Sequence, residues 1–320
     1  MKPLNNSSLP RENFAPGKLF TRRNFLKLAG ATAVALPFMK PEEALGSVDN
    51  STFHRGCNYA DVHHYTEHNI HVSGVRHYGV QPSHKHPDAG GVPTVWPTRV
   101  NNCRVCFTVY PKWNTFWHGG KKDGYDSNFK ELFRKSLYGD QITVFQEPEN
   151  IDWHSDGVKM TADRIRTIQN RMLEIKHSMS PVPFVAIGAI GFHQWYKARD
   201  YMAFGLDFYA VDLYRTEFDK QQAIAVLNEY HRGILRDNKA DKQRPISVCE
   251  CNAHDYIYRP CYFRAIAHWI ANQSYDSAFP TRCFHTFWRK DGKSSGPFLD
   301  GDTNTISALR DIGNSVYTVC

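Results

Sequence analysis

Eight short β-rich runs alternate with stretches of helical spacing, and this alternation limits the chain more than any other feature. The runs are 55–59, 74–80, 102–110, 141–146, 183–188, 206–214, 245–250 and 282–288. Helical spacing is clearest over 161–177, where Ile165, Ile168, Met172 and Ile175 recur on one face behind Thr161 and Asp163 as helix-start residues. It recurs over 221–235, 264–271 and 305–312, is weak after Trp96, and is lacking in the His-rich text between the first two runs. Strands separated by helices pair in parallel, and eight such units at about 33 residues each close into a (β/α)8 TIM barrel. A doubly wound open sheet is the competing fold. No glycine-rich phosphate loop follows any run, because Gly188-Ala189-Ile190-Gly191 lacks the fingerprint spacing.

The first 46 residues read as a separate segment. Thr21-Arg22-Arg23-Asn24-Phe25-Leu26-Lys27 precedes an apolar run of 12 residues, 28–39, and small residues follow at Ala44-Leu45-Gly46. Such a run is short for a bilayer span. The segment resembles the twin-arginine signal of bacteria. That resemblance implies passage through the twin-arginine translocase, removal of residues 1–46, a periplasmic or secreted product with no stable membrane insertion, and a single catalytic domain at 47–320.

Without residues 1–46, which carry seven of the 39 Lys and Arg and three of the 32 Asp and Glu, the net charge falls from +7 to +3. A nearly balanced remainder speaks against nucleic acid as a partner, which would call for a clustered basic excess. All eight cysteines lie beyond the leader. Period two sets Cys103 and Cys106 on opposite faces of a strand, and places Cys249 and Cys251 together as buried thiols facing away from Glu250.

Two of the runs end on an acid. Glu147 closes the fourth in Val144-Phe145-Gln146-Glu147-Pro148, and Glu250 closes the seventh in Ile246-Ser247-Val248-Cys249-Glu250. Burying a carboxylate is costly unless it is paired or used. Strand ends in a barrel open on the active-site mouth. Period two aligns Thr143, Phe145 and Glu147 on one face, and Ile246, Val248 and Glu250 on another. Two carboxyl groups across one mouth suit glycosidic-bond hydrolysis, in which one protonates the leaving oxygen and the other, about 5–5.5 Å away in the retaining case, attacks the anomeric carbon.

With Gln146-Glu147-Pro148 after the fourth run and Glu250 at the end of the seventh, the chain resembles glycoside hydrolase clan A, the retaining (β/α)8 glycosidases. The resemblance implies an exported enzyme that cleaves a β-linked oligo- or polysaccharide by double displacement without a cofactor. Glu147 would be acid and then base, and Glu250 the nucleophile. Gln146 stands where the clan has an asparagine on the sugar 2-hydroxyl, and offers the same donor on a longer arm. By the same resemblance Arg76 steadies the nucleophile, Tyr214 donates to it, Trp288 is the platform beneath the sugar, and Trp113, His118, His193 and Trp195 line further subsites.

Two other readings compete. His84-Lys85-His86 has the His-x-His form of a barrel amidohydrolase zinc site, with His63, His64, His193 and His285 as further ligands, though it follows the second run and not the first. A sugar-binding barrel with inert carboxylates is the non-enzymatic one. Nucleophilic serine chemistry is disfavoured by the lack of Gly-x-Ser-x-Gly.

Overall fold

The computed structural model describes residues 53–82, 89–100, 102–213, 219–252, 259–279, 281–286, 299 and 301–315. The leader, His84 to His86, Tyr214 and Trp288 lie outside the described residues. Ten strands lie among the described residues: β1 (Phe53–Asn58), β2 (Gly74–Tyr78), β3 (Arg104–Val109), β4 (Gln141–Gln146), β5 (His154–Ser155), β6 (Val158–Lys159), β7 (Ala186–Gly191), β8 (Phe208–Leu213), β9 (Ile246–Cys251) and β10 (Arg282–Thr286). Strands β5 and β6 form a small antiparallel pair after β4. The other eight are parallel and close a barrel in the order β1-β10-β9-β8-β7-β4-β3-β2. This is the (β/α)8 barrel that the alternation of the sequence implies.

The helices form where apolar spacing and end signals agree. In Ala162–Ser178, the Thr161 side chain accepts the Arg164 amide, Asp163 lies in the first turn, and Lys176 and His177 lie in the last. In Lys220–Arg236, Asp219 accepts the Gln222 amide at 2.7 Å, and Ala223, Leu227, Tyr230 and Ile234 face the barrel. Among the described residues four helices are additions to the sequence reading, two of them the single turns Trp113–Phe116 and Trp195–Ala198. Asp126–Lys135 buries only Phe129, Leu132 and Phe133, too few apolar residues to stand out by period. Between β1 and β2, a one-turn 3-10 segment at Tyr59–Asp61 leads into the short helix Val62–Glu67, which buries Tyr65 alone.

One strand lies three residues later than expected. Pro181 and Pro183 cannot donate to a ladder, so pairing begins with the Ala186 amide on the Asp140 carbonyl at 2.8 Å. Phe184 is left exposed against Tyr138. The shift places Gly188 beside Phe208 in register. A side chain at Gly188 would meet that ring at 2.4 Å, so the missing Cβ is what admits the phenyl group.

The two faces of the barrel wall differ in chemistry. Outward residues such as Val105, Phe107, Ile142, Val144, Ile187, Val211, Ile246 and Val248 pack with the helices in one large core. The inward apolar set is small: Cys106, Ala186, Ile190, Phe208, Ala210, Cys249 and Cys283. Aspartates hold the opposite rim from the expected mouth. Asp140 accepts the amides of Val105 at 2.9 Å and Leu137 at 2.6 Å, and Asp207 accepts the Ile187 amide and the Lys176 ammonium, both at 2.7 Å.

Candidate active site

Simple alternation fails on both acid-bearing strands, and the failure builds the site. The β4–β7 register shifts between Thr143 and Gln146, and the β8–β9 register skips from Val211 beside Val248 to Asp212 beside Glu250. Such a bulge opposes two residues to one and re-aims a side chain. On β9, Ile246 and Val248 face the outer core and Cys249 the inside of the barrel, and the bulge that follows Val248 re-aims Glu250. The expected line of Ile246, Val248 and Glu250 is overturned, and so is the shared outward placement of Cys249 and Cys251. On β4, Thr143 hydrogen-bonds its β3 register partner Thr108 at 3.0 Å, but Phe145 turns outward against Tyr110 and Trp153. Phe145 and Glu147 have φ of +58° and +43°, the left-handed region that side chains rarely adopt.

At the C-terminal end of the barrel strands stands one buried ionic network. Arg76 on β2 is fully buried. Its Nη1 donates to Asp212 Oδ1 at 3.3 Å and lies 3.7 Å from Glu250 Oε1. Its Nη2 reaches Thr108 Oγ1 at 3.5 Å, and the guanidinium stands 4.6 Å from the centre of the Tyr78 ring. Gln146 donates from Nε2 to the other Asp212 oxygen at 3.1 Å, and its carbonyl accepts the Trp153 indole at 2.7 Å. Glu147, next in the chain and fully buried, accepts from Asn150 Nδ2 at 3.2 Å. The Glu147 carbonyl takes the amides of Asn150 and Ile151 at 2.9 and 3.0 Å, which fixes the turn leaving β4.

Among the expected site residues, Arg76, Gln146 and Glu250 share this network, with Glu147 directly beside it. His193 follows β7 at the same end and is nearly buried, its ring 3.8 Å from that of Phe192. Trp113 lies after β3, stacked on Trp117 at 5.9 Å with Arg164 over its ring. His118 is exposed in a bridge with Lys121. Trp195 cannot line a subsite: it is buried, donates to Asp237, and packs on the ring of Tyr230 at 5.1 Å.

Asp212 is the residue that the sequence reading passed over. Its signal was the one already used for the two glutamates, a carboxylate inside the apolar run Phe208-Tyr209-Ala210-Val211-Asp212-Leu213. Burial pushes its acid dissociation up to about 7, although Arg76 and the Gln146 hydrogen bond pull the other way. Glu149 is similar. Burial raises it to about 7, the Phe192 amide that donates to it opposes the rise, and Glu147 adds to it.

The raised Glu149 has a measurable sign. Folded Glu149 titrates near pH 7, whereas an unfolded glutamate titrates at about 4.3. The folded state thus holds its proton more tightly, so this stabilisation is complete below the unfolded value and is lost as pH rises through about 7. Glu149→Gln is expected to gain stability relative to the parent over that interval, by up to about 3 kcal/mol at pH 8. Urea melts of both proteins at pH 4, 6 and 8 measure this, and parallel stability curves would refute it.

No protein-family model matches this sequence, and no curated protein matches it. Similar solved structures include a fungal β-1,4-galactanase, with TM-score 0.45 and 10% identity over 80% of this chain and 98% of that one. A protein termed GH26C from a Muricauda species gives TM-score 0.46 and 10% identity over 81% and 86% of the two chains. A mannanase of Bacillus subtilis gives 0.40 and 9% over 84% and 86%.

Proposed function

We propose that this barrel is a retaining glycoside hydrolase acting on a β-linked glycan. One observation carries the reading: Arg76 joins Glu250 to Asp212, Gln146 completes the shell of Asp212, and Glu147 stands next to Gln146 at the same end of the barrel. An acid on β9 held beside a guanidinium is kept ionised and aimed, as a nucleophile requires. Glu147 is fully buried beside a second acid, Glu149, an environment that suits a proton donor.

In this mechanism Glu250 attacks the anomeric carbon while Glu147 protonates the departing oxygen, giving a glycosyl ester on Glu250. Water, deprotonated by Glu147, then displaces the ester with a second inversion, so the anomeric configuration is kept. Gln146 holds Asp212 and thereby the guanidinium, and its second amide hydrogen is directed to the sugar. The Trp113–Trp117 stack after β3 offers a flat apolar face to a further sugar ring, with His193 a polar contact. Tyr214 and Trp288 are assigned to the subsite at the cleaved bond by the resemblance alone. The leader, export through the twin-arginine translocase and a periplasmic or secreted location belong to the same proposal. Proton NMR of the first-formed product from an aryl β-glycoside tests it. The β-anomer is expected, and initial release of the α-anomer would reject the assignment.

A further inference from the structure

Below the carboxylates, the inside of the barrel holds three thiols and an imidazole that the proposed hydrolysis does not use. Cys106 on β3, Cys249 on β9, and Cys283 and His285 on β10 are all buried, and the three cysteines are free. Cys249 Sγ lies 3.8 Å from that of Cys106 and 3.9 Å from that of Cys283. Ligand atoms of Cys106, Cys283 and His285 all fall within 4.8 Å of one another. Cys249 follows the outward-facing Val248 and so enters this space by simple alternation, while the bulge re-aims Glu250.

The spacing is informative. A tetrahedral ion with metal–sulfur bonds of about 2.3 Å sets its sulfurs about 3.8 Å apart. His285 supplies the second observation, because neither of its ring nitrogens makes a hydrogen bond although the side chain is buried. A buried imidazole with two unsatisfied nitrogens is a costly thing to place in a core of inert thiols. Gly74 contributes space: a Cβ there would stand 2.8 Å from His285 Nε2.

We propose that Cys106, Cys249, Cys283 and His285 form a closed tetrahedral site for a thiophilic divalent ion of the zinc type, a structural centre in the barrel floor. Four protein ligands leave no position for water, so the ion has no part in bond cleavage, and the proposal does not rest on the glycosidase reading. Loading converts three thiols to thiolates and releases three protons to solvent. The resulting centre carries a net charge of −1 and lies in the field of Arg76, which is beside Cys106 in register and is shared with Asp212 and Glu250. The ion would tie β3 to β9 and β10 across the interior of the barrel.

The test uses the full chain, purified without chelator and analysed for metal. One zinc per chain is expected. Unfolding with chelator, then refolding with cobalt(II), should give the thiolate charge-transfer band and the intense red-region bands of tetrahedral cobalt. Cys249→Ser and His285→Ala should each bind cobalt at least tenfold more weakly. A six-coordinate cobalt spectrum, no metal above trace in folded protein, or a disulfide between any two of the three cysteines by mass spectrometry would overturn the site. The wild-type spectrum decides the matter even if the variants do not fold.

Discussion

Glu250→Gln is expected to lower kcat about a million-fold, the scale on which loss of a covalent nucleophile acts. The amide keeps the volume and hydrogen-bonding shape of the side chain but removes the negative charge and the electron pair that would form the proposed glycosyl ester. Arg76 then lies 3.7 Å from a neutral group, so its remaining ionic partner in the network is Asp212. Stability should change little or rise, because a buried charge has been removed. Glu147→Gln separates the two roles. With an alkyl leaving group, loss of the general acid should cost about a hundred- to ten-thousandfold. With a dinitrophenyl glycoside, whose leaving group needs no proton, the first step should be nearly normal and the ester should accumulate on Glu250, visible as an added sugar mass. Unchanged turnover in Glu250→Gln would remove the nucleophile assignment, whereas equal losses on both substrates in Glu147→Gln would remove the acid.

Arg76→Met is expected to cost 3–5 kcal/mol of folding free energy at neutral pH, the usual penalty for leaving buried charge uncompensated. The guanidinium is the cation between Asp212 at 3.3 Å and Glu250 at 3.7 Å, and all three side chains are buried. The loss depends on pH in a definite direction. Asp212 already titrates near 7 with Arg76 present, because burial opposes its charge. Without the cation its folded pKa rises further above the unfolded value of about 3.9. The acid is therefore tolerated as the neutral form at low pH, and the penalty grows as pH rises. Urea unfolding at pH 5 and pH 8 should show the larger deficit at pH 8, and Arg76→Lys should recover part of it as a point charge without the fork. A deficit under 1 kcal/mol, or one equal at both pH values, would mean that the network does not hold the site together.

The barrel was legible because its cause is a pattern. Parallel strands buried on both faces read as continuous apolar runs, and helices with clear end signals, such as Ala162–Ser178, lie within a residue of their expected limits. Elements carried by few apolar residues escaped notice, among them Asp126–Lys135 and Val62–Glu67. The positions of Glu147 and Glu250 were legible as charges ending apolar strands. The side-chain directions on β9 were not, because counting by twos back from Glu250 crosses a bulge and so sets Cys249 on the wrong side. Asp212 was overlooked since one charge within a run reads as an interruption until Arg76 and Gln146 are seen to meet on it. Trp195 was misjudged for a related reason: an aromatic after a strand looks like a rim residue, and only the approach of Gly233, whose added Cβ would lie 2.2 Å from the indole nitrogen, shows that a helix covers it.

The backbone at Phe145 and Glu147 has a wider consequence. Two consecutive odd positions in left-handed conformation cost roughly 1–2 kcal/mol each, so the segment bearing Glu147 is held by what surrounds it: Trp153 clasping the Gln146 carbonyl, Asn150 on the carboxylate, and Tyr110 against Phe145. Transplanting the two acids alone onto another eight-stranded ring would not reproduce their placement. The transferable unit is the whole stretch from Gln141 to Trp153 with the aromatic wedge that keeps it bent.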